Sequence, residues 1–372
     1  MTNIRKSLFA LALCASFMLA APKGVPAQQG PPEQPDTTID AAARKETIES
    51  LLKKLKESYV FPETASKMDE AVRARLARGE YEQLTSAKQF AERLTADLRE
   101  VCHDKHLGVR YSYRPVPERP GQKEPTAEER EQMRRVGERI NYAFQKVERL
   151  PGNIGYIDFR GFFPPDAGAA ETVAAAFNFV ANTDSLIIDL RQNGGGDPKM
   201  VALICSYLFG AERVHLNDLH WREGAGERVE EFWTLKEVAG KRYTKDVYVL
   251  TSGRTFSGAE EFANNLKTLK RARVVGETTG GGANPGDSVR LSEHFAAFIP
   301  TGRAVNPVTK TNWEGTGVEP DVKVSAEQAL QTAQVLALKK AAEGTSDDGL
   351  KRDIQRRIEA LQKEMGEAQG KK

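Results

Sequence analysis

The chain has 372 residues, of which 40% are hydrophobic and 28% charged, with 31 Gly and 18 Pro. At about 150 residues per domain this is two or three domains with enough apolar mass for a core, and it excludes a collagen-like, low-complexity or polytopic membrane chain. The formal charge is only +2, so nothing in the balance asks for nucleic acid or an anionic membrane as a partner.

In chain order, Arg5 and Lys6 precede an apolar run from Leu8 to Ala21, and Val25-Pro26-Ala27 supplies small residues for cleavage. That pattern predicts a secretory signal peptide over residues 1–27, an exported mature protein, and a fall in formal charge from +2 to −1 as three cations leave. Residues 28–40 are rich in Gln, Pro and Thr and predict a disordered leader. Three helical stripes follow: Ile48, Leu51, Leu52 and Leu55, then Ala65, Met68, Val72 and Leu76, then Phe90, Leu94 and Leu98. They predict a three-helix domain over residues 41–112, with Pro62, Gly79 and Ser86 at its breaks. Residues 113–150 are proline-spaced and dense in charge, reading as a linker with one short helix and no strand.

From 151 to 325 the pattern alternates. Strands are expected at Ile154–Phe159, Leu186–Leu190, Val247–Thr251, Val274–Gly276 and Ala296–Ile299, with helices at Gly168–Asn182, Lys199–Phe209 and Ala259–Leu269. Apolar strands between helices predict an α/β fold with largely parallel pairing. Residues 326–372 read as two closing helices, the first capped by Ser325 and Gln328. Leu350, Ile354, Ile358, Leu361 and Met365 make a stripe on the second, suited to the body or to a second subunit, so a homo-oligomer stays open. Cys102 and Cys205 are the two cysteines beyond the leader, and the sequence leaves open whether they pair or lie apart.

Four segments carry chemistry. In Val247–Phe262 a buried strand meets a helix through a short turn, placing Ser257 at a helix N-terminus, where backbone N–H groups favour a developing oxyanion. Ser257 and Glu260 have the spacing of a capping box as well, and Ser252 is a second candidate hydroxyl on the same turn. Asp189–Asp197 is a strand opening into Gly194, Gly195 and Gly196, either an anion-binding turn or simply a tight one. Cys102-His103-Asp104-Lys105-His106 offers a general base, with a metal site on His103 and His106 as the lesser reading, because no second ligand cluster has zinc spacing. Glu314, beside Trp313 in a glycine-rich loop, is a carboxylate of the kind that orients a histidine, or else a surface acid.

Taken together, Asn153–Ile157, Asp189–Gly196, Thr251–Phe262, Val275–Gly282 and Glu314–Asp321 resemble, in order, the S41 family of serine peptidases, over roughly residues 45–325. The resemblance implies a ClpP/crotonase-like α/β core with an N-terminal helical cap, Ser257 as nucleophile, and hydrolysis of peptide or protein substrates without metal or organic cofactor. Gly280, Gly281 and Gly282 stand where the C-terminal processing branch has its lysine, so the resemblance points to the tricorn-like branch, with His106 as base and Glu314 as its partner. It implies Gly194, Gly195 and Gly258 as oxyanion donors. The processing branch's PDZ domain has no room or strand pattern here, so none is expected. The rival reading is a non-catalytic module, like the retinoid-binding relatives, that holds a hydrophobic ligand or peptide.

Overall fold

The computed structural model describes residues 34–118 and 126–369. The expected signal peptide and residues 28–33 of the expected leader lie outside these residues, as does part of the charged linker; within the rest of the leader Thr38 bridges to Ser86 and Ile39 packs into the helical core, so that stretch is ordered. The chain from Asp36 onward is one compact unit.

Helix α1 (Ala41–Ser58) starts where the Asp40 carboxylate accepts the Ala43 N–H, α2 (Pro62–Ala77) has proline at its first position, and α3 (Ala87–Cys102) starts on the Ser86 hydroxyl. Their three stripes share one core, which also takes Leu291, Phe295, Ala297 and Ile299. Those last residues come from a sheet of β1 (Gly108–Tyr111), β9 (Gly286–Ser292) and β10 (Phe295–Pro300), paired antiparallel in the order β1-β10-β9. The strand expected at 296–299 therefore belongs to the helical cap's floor and not to the parallel sheet. Its hairpin alternates large apolar residues on one face only, which is the signature of antiparallel pairing.

The main sheet runs β12-β8-β7-β4-β3-β2. Strands β3 (Ile154–Phe159), β4 (Ser185–Asp189), β7 (Asp246–Thr251), β8 (Arg273–Gly276) and β12 (Val322–Lys323) are parallel neighbours. Antiparallel β2 (Phe144–Leu150) closes one edge. It lies in the stretch expected to hold only linker and helix, and it escaped notice because only Phe144 of its seven residues is buried. The short helix of that stretch is α4 (Ala127–Arg139), with a Thr126–Glu129 capping box.

One face of the sheet is covered by α5 (Ala167–Val180), α6 (Pro198–Leu208) and α7 (Gly258–Thr268) in the largest core cluster. The other is covered by α8 (Ala329–Gly344) and α9 (Asp348–Gln369). The tail stripe packs on the body: Ile354, Ile358 and Leu361 are buried with Leu338 of α8 against Tyr156, Ile187 and Tyr248. The Ser325–Gln328 box does not form, since Gln328 N–H goes to the Ser325 carbonyl in a turn and α8 starts one residue later. A second small sheet, β11 (Gly302–Val305), β5 (His215–Glu223) and β6 (Gly226–Trp233), completes the fold. Cys102 and Cys205 are both free thiols. No described helix is long and apolar enough to cross a membrane.

Candidate active site

The site forms where three chain segments meet at the carboxyl ends of β4 and β7, the end of a parallel sheet where loops bring ligand-binding groups together. On leaving β7 the chain is pinned turn by turn. Thr255 Oγ1 donates to the Leu190 carbonyl at 2.8 Å, and Phe256 N–H donates to the Asn193 carbonyl at 3.1 Å. Ser257 then takes φ +55° and ψ −124°, a strained backbone for any residue with a Cβ, and opens α7 half-buried. Such strain is the kind that active sites store.

Glu260 explains how the strain is held. This carboxylate, fully buried, accepts four donors: Ser257 N–H at 2.9 Å, Thr279 Oγ1 at 2.5 Å, Gly281 N–H at 2.6 Å and Gly282 N–H at 2.8 Å. Burial raises its pKa, and those hydrogen bonds oppose the rise. The capping spacing read from the sequence thus conceals a larger task, which is tying the Ser257 turn to the 279–282 segment.

The glycine turn lies directly against Ser257. A Cβ on Gly195, which has φ +100°, would stand 2.7 Å from both Ser257 Cβ and Gly258 N, so no other residue fits there. Gly195 N–H donates to Asn193 Oδ1 at 2.8 Å and is committed within the turn. Among the described residues, the Gly194 and Gly258 N–H groups have no such internal acceptor. Ser252 is not a free nucleophile: its buried hydroxyl donates to the Arg191 carbonyl at 2.6 Å and accepts Arg254 N–H at 3.0 Å.

The second segment follows α3. His103 takes the left-handed conformation that ends the helix and is exposed. Asp104 turns inward, accepting His106 N–H at 2.9 Å, Asn284 Nδ2 at 2.9 Å and Tyr59 Oη at 3.2 Å. His106 is thereby aimed at Phe256 and Phe298, with ring centroids 4.6 and 5.9 Å away. Burial holds its pKa below 6.5, partly countered by the Asp104 charge, so the imidazole is neutral near pH 7.

The third is the loop of Trp313 and Glu314. Trp313 Nε1 donates to the Gly282 carbonyl at 2.7 Å and Glu314 accepts Ala283 N–H at 2.5 Å. Burial lifts the Glu314 carboxyl to about 7, with Ala283 N–H and Lys105 pulling down and Asp104 and Glu260 pushing up. Asp104, His106 and Glu314 each place a ligand atom within 4.8 Å of the other two. His106 Nδ1 and Glu314 Oε1 are both buried without a hydrogen-bond partner. The structure therefore brings His106 and Glu314 together, and sets them beside the serine turn through Gly282, where a Cβ would lie 2.7 Å from His106 Cε1. Among the described residues no hydrogen bond joins Ser257 to His106; catalytic hydrogen bonds often tighten only when substrate binds. The metal reading through His103 does not fit this geometry, because that side chain stands outside the cluster.

Sequence reasoning read Glu260 only as a capping partner and Asp104 only as a neighbour of the histidines, and gave the 279–284 strap no structural task. The strap's successive residues bind the serine helix, the glutamate loop and the histidine loop in turn, through Glu260, Glu314 and Asp104. Its readable signal is a glycine run with no helix or hairpin to account for it.

Comparison with known proteins bears on the family and the fold. A family model described as Peptidase family S41 matches residues 153–324, and one described as the N-terminal domain of Peptidase_S41 in eukaryotic IRBP matches residues 41–148. Carboxyl-terminal-processing peptidase 2, chloroplastic, of Arabidopsis thaliana is 26% identical over 191 residues, 49% of this chain and 35% of that protein. The match thus spans about a third of that relative's length. Among solved structures, a peptidase-titled protein of Parabacteroides merdae has a TM-score of 0.57 at 20% identity, covering 79% of this chain and 96% of its own. A lipoprotein from Streptococcus agalactiae has a TM-score of 0.52 at 16% identity, covering 80% and 96%. At these identities the two structures establish the shared fold.

Proposed function

The chain belongs to peptidase family S41, and from that premise we propose that it is an exported serine peptidase with a Ser257–His106–Glu314 site. The observation that carries the reading is the strained Ser257 at the N-terminus of α7, packed on the glycine turn, with the neutral His106 and the Glu314 carboxyl gathered beside it. In this mechanism Ser257 Oγ attacks the carbonyl carbon of a peptide bond while His106 takes the hydroxyl proton. The oxyanion is met by Gly258 and Gly194 N–H, reinforced by the α7 dipole. The C–N bond then breaks as His106 returns the proton to the departing amine. Water, deprotonated by the same imidazole, splits the acyl ester and restores Ser257. Glu314 balances the imidazolium in both halves.

The test is mass-spectrometric analysis of a peptide library incubated with wild type, with Ser257→Ala, and with wild type plus a chelator. Cleavage by wild type, with and without chelator, and none by the variant is the expected result. Cleavage that survives Ser257→Ala contradicts the assignment. Export rests on residues 5–27 of the sequence, and its test is the N-terminus of the secreted chain, expected just after Ala27. The binding-module reading draws on the missing Ser257–His106 hydrogen bond; it predicts peptide or apolar-ligand binding without any cleavage product.

A further inference from the structure

A narrow cavity of about 40 Å³ opens beside Ser257 and Gly258, walled by Leu219, Ala304 and Trp313, with Glu261 at its edge. Glu261 is 5% exposed, and its Oε1 has no hydrogen-bond partner. Behind it lie Asn217 of β5 and Asn265 of α7, both fully buried, whose amide oxygens and nitrogens all lack completed hydrogen bonds. Both amides lie against the Glu261 carboxyl and oppose the effect of its burial as hydrogen-bond partners, at a geometry too poor to complete those bonds, so the three side chains form one cluster. A buried cluster whose polar atoms meet only at poor geometry is costly, because buried polar groups are nearly always well paired. The protein's other buried carboxylates in this region, Asp104 and Glu260, have their donors in place.

We propose that this cavity is the pocket for the side chain of the residue whose carbonyl is attacked, and that Glu261, backed by Asn217 and Asn265, selects a short, uncharged polar side chain: serine, threonine or asparagine. The inference rests on the peptidase reading above. A carbonyl held between Ser257 and the Gly258 N–H brings its own residue's side chain nearest to this cavity. The volume admits a few heavy atoms, since one water needs roughly 10–15 Å³ by the same kind of measure; lysine, arginine and aromatic residues are too large. Burial pushes the Glu261 carboxyl up to about 8, so at neutral pH it is an uncharged group that both donates and accepts. Such a group matches a hydroxyl or amide and has nothing to offer a methyl, and a second carboxylate would have to be stripped of water to share its proton.

The experiment measures kcat/KM for one peptide series in which only that residue changes, through Ser, Thr, Asn, Ala, Val, Asp and Lys, with wild type, Glu261→Gln and Glu261→Met. Wild type should prefer Ser, Thr or Asn to Ala and Val by about tenfold or more, the discrimination expected of a pocket built around a hydrogen bond. Glu261→Met should erase or reverse that order, and Glu261→Gln, which keeps shape and neutrality, should retain most of it. A wild-type preference for Ala, Val or Lys overturns the proposal without needing either variant to fold, and so does an order unchanged in Glu261→Met. Ser257-dependent cleavage with the wrong preference sinks this inference alone. An absence of Ser257-dependent cleavage across the whole series sinks the peptidase reading and this inference with it.

Discussion

The two halves of the site are built differently. Around Ser257 the turn is tied down: Glu260, Asn193 and Thr255 each hold it by hydrogen bonds while the Gly194 and Gly258 N–H groups keep no internal acceptor among the described residues, and the strained φ of Ser257 persists because the surroundings over-determine it. Around His106 the anchor is a single carboxylate, Asp104, while the two atoms that would do proton work, His106 Nδ1 and Glu314 Oε1, are buried with nothing bonded to them. The nucleophile half is preorganised by covalent geometry and main-chain hydrogen bonds. The acid–base half is held by ring packing and a few bonds to Asp104, Ala283 and Gly282, and His106 Nδ1 and Glu314 Oε1 are left without a partner.

The sharpest way to break this comparison is Ser257→Ala. It should lower kcat by about 10⁴-fold or more, as loss of a nucleophile does elsewhere, with the melting temperature little changed; steady-state kinetics beside a thermal melt would check both. Glu314→Gln comes next, with an expected loss of about 10²-fold or more. The pH profile carries more information than the loss itself. In wild type, kcat/KM should rise with pH through about 7 as Glu314 ionises, because His106, held below 6.5, is already neutral there. Asp104, Glu260 and Lys105 all act on that carboxyl, so the midpoint belongs to the group as a whole. Replacing Glu314 should remove this limb, and a limb unchanged in the variant would show that Glu314 does not set it.

Gly195→Ala probes the rigid half. Its new Cβ meets Ser257 Cβ and Gly258 N at 2.7 Å in a left-handed conformation, and should cost about 1–3 kcal/mol of stability along with most activity. Denaturant melts that show no loss would mean the turn is looser than described.

Glu261 gives the most selective prediction, one that touches stability and not turnover. A carboxyl raised from 4.5 to about 8 in the fold binds its proton more tightly when folded, so its contribution to stability is present below pH 4.5 and is lost as pH rises toward 8. Glu261→Gln should therefore stabilise the protein by on the order of 3 kcal/mol at pH 7 and by almost nothing at pH 4. Equal melting shifts at both pH values would contradict the assigned ionisation.

The regular part of this architecture was legible because its residues are one-sided. Leu186-Ile187-Ile188 and Val247–Leu250 are apolar throughout and lie at the sheet centre, and the stripes of α1 to α3 bury the residues their spacing names except the half-buried Leu76. Strands β2, β5 and β6 were not legible, since their exposed faces are charged and only scattered residues such as Phe144, Leu216, Leu219 and Phe232 are buried. In the site, Ser257, His106 and Glu314 stood out because each adjoins a glycine turn or a helix end. Glu261 did not, and Glu260 showed only its capping spacing, because two acids in a helix's first turn are ordinarily read as surface charges that suit the dipole. Only the tertiary fold buries both, Glu260 among four donors and Glu261 against Asn217 and Asn265 with its Oε1 left unpaired.

The most direct test of the central claim is to treat the wild-type protein with a serine-reactive fluorophosphonate and locate the adduct by peptide mass spectrometry. The account predicts a single phosphonylated residue, Ser257, with labelling strongly slowed in His106→Ala. Labelling of Ser252 instead, or labelling of Ser257 at the same rate without His106, would contradict it.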